Sequence, residues 1–186
     1  MDNSTIIEKI EIAIDALLSN DSWLLEKDLS ERSITHKLAE YIQPLFLDHN
    51  VDCEYNGDAD RDNGDADHLG RKRVGIITSQ LAGLGLLTKR ESQDETDQEF
   101  LERLVYPDII IHKRGTNKKN LCIIEVKKST STVPYTYDRL KLCAYTTNQY
   151  GNLNYQLGVF VKLVTRTTHV DYDLKTFENG TGPELG

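Results

Sequence analysis

Two acids and an amine stand at a spacing that suits phosphodiester hydrolysis. Tyr106-Pro107-Asp108 opens one apolar run, Glu125-Val126-Lys127 closes the next, and sixteen residues separate Asp108 from Glu125. Side chains alternate along a strand, so Glu125 and Lys127 share one face while Ile124 and Val126 take the other. If the two runs pair as a hairpin, Asp108 and Glu125 meet at one end of it. Hard carboxylate oxygens there suit Mg²⁺ or Mn²⁺; such an ion lowers the pKa of a bound water, and Lys127 orients that water or neutralises the phosphate.

The elements that must position this set are readable. Residues 5–18 place Ile6, Ile10, Ala13, Leu17 and Leu18 at helical spacing, which predicts an amphipathic helix docked on the outside of the core. A second helix opens at Ser30, whose hydroxyl accepts from a free backbone N–H, with Leu29 stapling onto Ile34. Its apolar stripe runs Ile34, Leu38, Ile42, Leu45, and Pro44 ends or kinks it. Glu31 lies three residues before Ile34 and so faces whatever the helix packs against; the alternative is an acid at the first helical position, favoured by the helix dipole.

Residues 51–55 predict a short strand, with Glu54 at its end as an accessory metal ligand or a solvated carboxylate. Residues 56–104 read as an insertion between core elements. Ile109-Ile110-Ile111 and Leu121-Cys122-Ile123-Ile124 predict a β-hairpin about Gly115-Thr116-Asn117. Residues 136–150 predict a helix with Leu140, Cys143, Ala144 and Thr147 on one face, closed by Gly151-Asn152. Strands are expected at 155–164 and 167–174, and a flexible Gly-rich tail at 177–186.

Bulk properties bound the answer. At 186 residues one domain is expected, spanning residues 1–176 before the tail. The three cysteines, Cys53, Cys122 and Cys143, sit among apolar neighbours without a CxxC, which reads as reduced core residues. No apolar run approaches the roughly 18 residues that cross a bilayer, and no secretory leader pattern opens the chain, so a cytoplasmic protein without a membrane partner is expected. The net charge of −8 argues against indiscriminate coating of nucleic acid unless positive charge is locally concentrated. Arg71-Lys72-Arg73, Lys113-Arg114, Lys118-Lys119 and Lys127-Lys128 are the local concentrations, as a nucleic-acid groove or as ordinary solvated turns.

The remaining candidates are weaker. Asp58, Asp60 and Asp62 alternate as in a calcium loop, but Asn63 replaces the glycine and Leu69 the bidentate glutamate, which favours a solvated acidic loop. His36 and His112 have no partner at metal-ligand spacing and are expected to be structural. Glu125 and Lys127 as an exposed edge-strand pair is the bland alternative, and the run from Leu121 to Val126, apolar on both faces, speaks against it.

Pro107-Asp108 followed by Glu125-Val126-Lys127 resembles the PD-(D/E)xK nuclease superfamily. The element order also matches the core of that superfamily, helix, three strands, helix, strand, over residues 30–165. The segments Glu31-Arg32-Ser33-Ile34-Thr35-His36, Val51-Asp52-Cys53-Glu54-Tyr55-Asn56 and Asp138-Arg139-Leu140-Lys141-Leu142 look like those of small stand-alone bacterial members. The resemblance implies an α/β, restriction-endonuclease-like fold (αβββαβ) with a mixed four- to five-stranded sheet flanked by helices. It further implies Mg²⁺- or Mn²⁺-dependent cleavage leaving 5′-phosphates, with DNA favoured over RNA as the nucleic-acid partner. Asp108 and Glu125, assisted by the Val126 carbonyl, would bind metal, Lys127 would position the water, and Glu31 would bind a second ion or hold the water network. Lys141 would reach the scissile phosphate or stand as a plain exposed lysine. The long segment 56–104 departs from a minimal core and leaves the substrate-reading surface open. Two other readings stay beside this one: an inactive nuclease-fold binding or regulatory module, and an RNA-cleaving enzyme. A homodimer is one arrangement that would cut both strands.

Overall fold

The computed structural model describes residues 1–59, 70–89, 91, 99–149 and 153–184. Its elements are α1 (Asn3–Asn20), α2 (Ser22–Glu26), α3 (Glu31–Ile42), β1 (Asn50–Cys53), β2 (Gly57–Asp58), β3 (Gly70–Arg71), β4 (Arg73–Ile77), α4 (Thr78–Gly83), β5 (Phe100–Leu104), β6 (Ile109–His112), β7 (Cys122–Lys128), α5 (Thr136–Tyr145), β8 (Leu157–Leu163) and β9 (Tyr172–Phe177).

A five-stranded mixed sheet, ordered β1-β6-β7-β8-β9, forms the centre. All its pairings are antiparallel except β7 with β8, which run parallel. Parallel neighbours need a crossover, and α5 supplies it. Alternation along the strands splits the core into two faces. Ile109, Ile111, Cys122, Ile124, Val126, Val159 and Val161 pack with α1 and α3, whereas Ile110, Ile123 and Phe160 pack with α5, β4 and β5.

The α3 stripe does what its spacing predicts: Ile34, Leu38 and Ile42 are fully buried, each worth roughly 1.5–3 kcal/mol of apolar burial. Ser30 caps the helix by accepting from the Ser33 N–H at 3.2 Å. The helix ends at Ile42, and Pro44 lies in the 3₁₀ turn that follows. The first helix is longer than its apolar pattern, because Asp2 caps it from outside by accepting from the Thr5 N–H.

Other boundaries differ from expectation. α5 stops at Tyr145, and its buried face carries Asp138, Leu140, Leu142, Ala144 and Tyr145, while Cys143 is only half-buried. Leu142 is drawn inward because Gly158 of β8 lets the helix approach: a Cβ there would lie 3.2 Å from Thr146 and 3.3 Å from Leu142. The closing pair Gly151-Asn152 lies outside the described residues. The last strand begins at Tyr172 and reaches Phe177, which is fully buried, so the segment expected as a tail starts inside the sheet. After it, the Gly182 and Pro183 carbonyls accept from Arg139 of α5. Within the insertion, β4 and β5 pair as a ribbon whose Val74, Ile76 and Leu101 join the α5-side core. No helix among the described residues is long and apolar enough to cross a membrane.

Candidate active site

β6 and β7 pair with Ile109 opposite Ile124, which sets Asp108, just before β6, beside the end of β7. The Asp108 Oδ2 accepts from the Val126 N–H at 2.8 Å. Glu125 points to the α5 face, fully buried, and its Oε2 accepts from the Lys141 Nζ at 2.7 Å. Lys127 leaves the same face at the strand end, where the N-terminal turns of α3 and α5 converge. Its Nζ lies 3.1 Å from Glu31 Oε1 and 3.7 Å from Asp138 Oδ2. Glu31 also accepts the Lys128 N–H through Oε2 at 3.3 Å, so the first residue of α3 is tied to the strand. The structure thus brings Glu31, Asp108, Glu125, Lys127 and Lys141 together at the carboxyl end of β7, where open α/β sheets place their ligands.

Counted at full ionisation, Glu31, Asp108, Glu125 and Asp138 against Lys127 and Lys141 leave a surplus of negative charge. Burial pushes the Glu125 carboxyl well above the usual carboxylate range, with Lys141 opposing the shift and Asp108 and Asp138 adding to it. Burial also raises Asp108, against the Val126 N–H and the two lysines. For Lys127 burial works against the charge, but Asp138, Asp108, Glu31 and Glu125 outweigh it and hold the ammonium above its ordinary pKa. Lys127 is therefore a cation at neutral pH, suited to orienting water or meeting phosphate and unsuited to removing a proton.

The donor set fits a hard divalent cation. The Glu125 Oε1 is buried without a hydrogen-bond partner, although a buried carboxylate oxygen left unpaired costs roughly 1–3 kcal/mol or more. A cation beside Asp108 would complete it. No cluster of three or more His, Cys, Asp or Glu poised to hold a metal occurs among the described residues.

A cleft of about 530 Å³ opens onto the site, lined by Glu31, Arg32, Thr35, His36, Cys53, Glu54 and Asp108. Glu54 stands at its mouth with a left-handed backbone, φ 51°, and its N–H donates to the Asp108 carbonyl at 3.2 Å. Its carboxylate holds Arg32 at 2.8 Å, in a pair exposed enough to contribute at most about 1 kcal/mol.

The expected phosphate contacts are dispersed. Lys72 is 1% exposed, donates to the Gly57 carbonyl and lies 4.5 Å over the Tyr55 ring, so the middle of Arg71-Lys72-Arg73 faces inward. Arg71 is exposed, and Arg73 reaches Glu102 at 3.8 Å. Lys113 and Arg114 follow β6 at the end of the hairpin away from Asp108, and Arg114 pairs with Asp52. Lys118 and Lys119 share that distant turn. Lys128 turns to the α3 side, donating to Asp28 Oδ1 at 2.8 Å and the Leu29 carbonyl at 2.9 Å. Lys141 is no surface lysine: it is held between Glu125 and Asp138, the latter at 3.0 Å.

His112 pairs with Asp52 at 2.8 Å and His36 with Glu40 at 3.3 Å. Asp58 is buried and accepts from Asn117 at 2.6 Å, while Asp60, Asp62, Asn63 and Leu69 lie outside the described residues. Cys122 is buried, Cys53 and Cys143 half-buried, and all three are free thiols.

Spacing did not single out two residues of the site, Asp138 and Arg32. The i,i+3 spacing of Asp138 with Lys141 was the signal for the first. Arg32 carried no signal beyond standing next to Glu31. Comparison with known proteins returned no matching family model, no matching curated protein and no matching solved structure.

Proposed function

We propose that the protein is a metal-dependent nuclease of the PD-(D/E)xK type, acting on DNA. The observation that carries this reading is the buried Glu125 Oε1, without a hydrogen-bond partner, on a carboxylate whose other oxygen accepts from Lys141 and which interacts electrostatically with Asp108. The order α3, β1, β6, β7, α5, β8 supports a restriction-endonuclease-like core, with residues 56–104 inserted between its first and second strands.

In this reading Asp108, Glu125 and the Val126 carbonyl hold Mg²⁺ or Mn²⁺. The ion supplies Lewis acidity and lowers the pKa of water. Lys127 orients the attacking water and faces charge developing on the phosphate. Lys141 holds Glu125 in place, so that one carboxylate oxygen is fixed and the other is left for the cation. Glu31 steadies Lys127 from the cleft side. Arg32, in a weak exposed pair, exchanges Glu54 for a backbone phosphate at little cost.

Cleavage of plasmid, linear and single-stranded DNA with Mg²⁺ and with Mn²⁺ tests the reading. Wild type cuts and Asp108→Ala does not; identical behaviour of the two removes the catalytic assignment. Matched RNA substrates decide the sugar. A second reading, an inactive nuclease-fold binding module, is favoured by one observation: Lys141 already occupies one oxygen of Glu125. Calorimetric titration with Mn²⁺ separates the two, since a competent site binds the ion in a manner that Glu125→Gln abolishes.

A further inference from the structure

Asp138 is 3% exposed in the first turn of α5, where the helix dipole favours an acid. An acid kept only for that dipole, or only to anchor the helix, would have both oxygens satisfied. Its Oδ1 lies 3.0 Å from the Lys141 Nζ, but its Oδ2 is buried without a hydrogen-bond partner. The ammonium of Lys127 stands 3.7 Å from that oxygen, close enough to pair in charge and short of a hydrogen bond. Lys127 meanwhile leans on Glu31 at 3.1 Å. Its two acceptors differ in setting: the Glu31 side chain is 31% exposed at the cleft, that of Asp138 only 5%.

We infer that Asp138 is the positioning residue for both ammonium groups of the site: one oxygen fixes Lys141 against Glu125, and the unpaired one receives Lys127 when Glu31 is engaged at the cleft. The inference rests on the nuclease reading for its catalytic consequence, but the contacts it names exist without that reading. The geometry explains why a carboxylate oxygen is left unsatisfied in the interior. It is a second resting place for an amine that must remain near the reacting phosphate after losing its first partner. A shift of under an ångström completes the bond, and the backbone of β7 need not move. Lys127 is then held from the buried side and its remaining donors face the cleft.

The test compares wild type, Asp138→Asn, Lys127→Gln and the double variant, in cleavage of plasmid at saturating Mn²⁺. Asp138→Asn keeps the shape and removes the charge. It is expected to lower kcat about 10- to 100-fold, the usual range for residues that orient a catalytic group, with KM for DNA nearly unchanged. The double variant is expected to be slower than Lys127→Gln by clearly less than the loss Asp138→Asn causes in wild type, because the Lys127 part of that loss is already gone and only the part acting through Lys141 remains. A wild-type kcat in Asp138→Asn, or losses that multiply in the double variant, overturns the inference. If Asp138→Asn does not fold, Asp138→Glu replaces it, and a lowered kcat at unchanged KM supports the inference while a wild-type kcat overturns it.

A second readout needs no catalysis. In metal-free protein with ¹⁵N-labelled lysine, Asp138→Asn should shift the side-chain ammonium resonances of both Lys127 and Lys141. Should wild type cut nothing with either metal, the nuclease reading fails by itself. The ammonium shifts then decide whether Asp138 holds the two lysines, and unmoved resonances overturn that claim too.

Discussion

Two charged clusters sit at opposite ends of the β6–β7 hairpin, and they are finished differently. At the turn end, Asp52 accepts from His112 and from Arg114, Asp58 accepts from Asn117, and Lys72 donates to the Gly57 carbonyl beneath Tyr55. At the other end, Glu125 and Asp138 each keep a buried oxygen with no hydrogen-bond partner, behind a cleft that Glu31 and Asp108 line. Buried polar groups that serve only the fold tend to be satisfied. The contrast is one of carboxylates, since the His49 Nδ1, near Lys113 and Lys119, and the Tyr155 hydroxyl, near Asp58 and Asp52, are likewise buried without a hydrogen-bond partner; under the nuclease reading a divalent ion completes the Glu125 oxygen.

Substitution gives the largest separation of the two. Asp108→Asn is expected to lower plasmid cleavage by at least about 100-fold, the scale of removing a group that acts on the transition state. Asp52→Asn should leave kcat near wild type but cost about 2 kcal/mol of stability, because Arg114 and His112 lose a largely buried partner. Urea unfolding alongside the cleavage assay reads both, and an inactive Asp52→Asn with full stability would erase the contrast.

Acidity should pull the clusters in opposite directions. Burial lowers the His112 pKa, with Asp52 opposing, so protonation favours the unfolded chain and stability falls as pH drops below about 6.5. Glu125 and Asp108 are raised instead, so the native state holds more protons than the unfolded one above the carboxylate range. Their contribution is therefore present in acid and lost as pH rises. Melting temperatures of metal-free protein should fall on both flanks, with His112→Gln flattening the acid flank and Glu125→Gln the alkaline one. Mn²⁺ should raise the melting temperature more at pH 8 than at pH 6, because the ion then displaces fewer protons. A Mn²⁺ effect that is the same at both pH values contradicts carboxylate ligation.

The smallest effects concern phosphate. Arg32→Gln should raise KM severalfold and reduce the salt slope of DNA binding by about 1. Lys113→Gln, at the turn end, should change neither.

The sequence made the hairpin legible because two apolar runs of the right length flank a turn, and strand alternation then fixes the shared face of Glu125 and Lys127. Glu31 was legible from its phase on the α3 stripe. Lys72 was not, since a basic run reads as solvated and only the long-range packing of Tyr55 and Gly57 around the amine buries it. Asp138 escaped for a similar reason: an acid in a first helical turn already has a local explanation in the dipole, and its lysine partners are set by tertiary packing. The β4–β5 ribbon is stabilised by side chains of α5, some forty to seventy residues further along, which no local pattern encodes.

The central claim is that a divalent ion completes Glu125 beside Asp108. Anomalous diffraction from a crystal soaked in Mn²⁺ tests it most directly. A peak is expected within ligand distance, about 2.0–2.4 Å, of Asp108 and the Glu125 Oε1, and is expected to vanish in Glu125→Gln. No peak there, or one bound only among surface carboxylates away from β7, would contradict it.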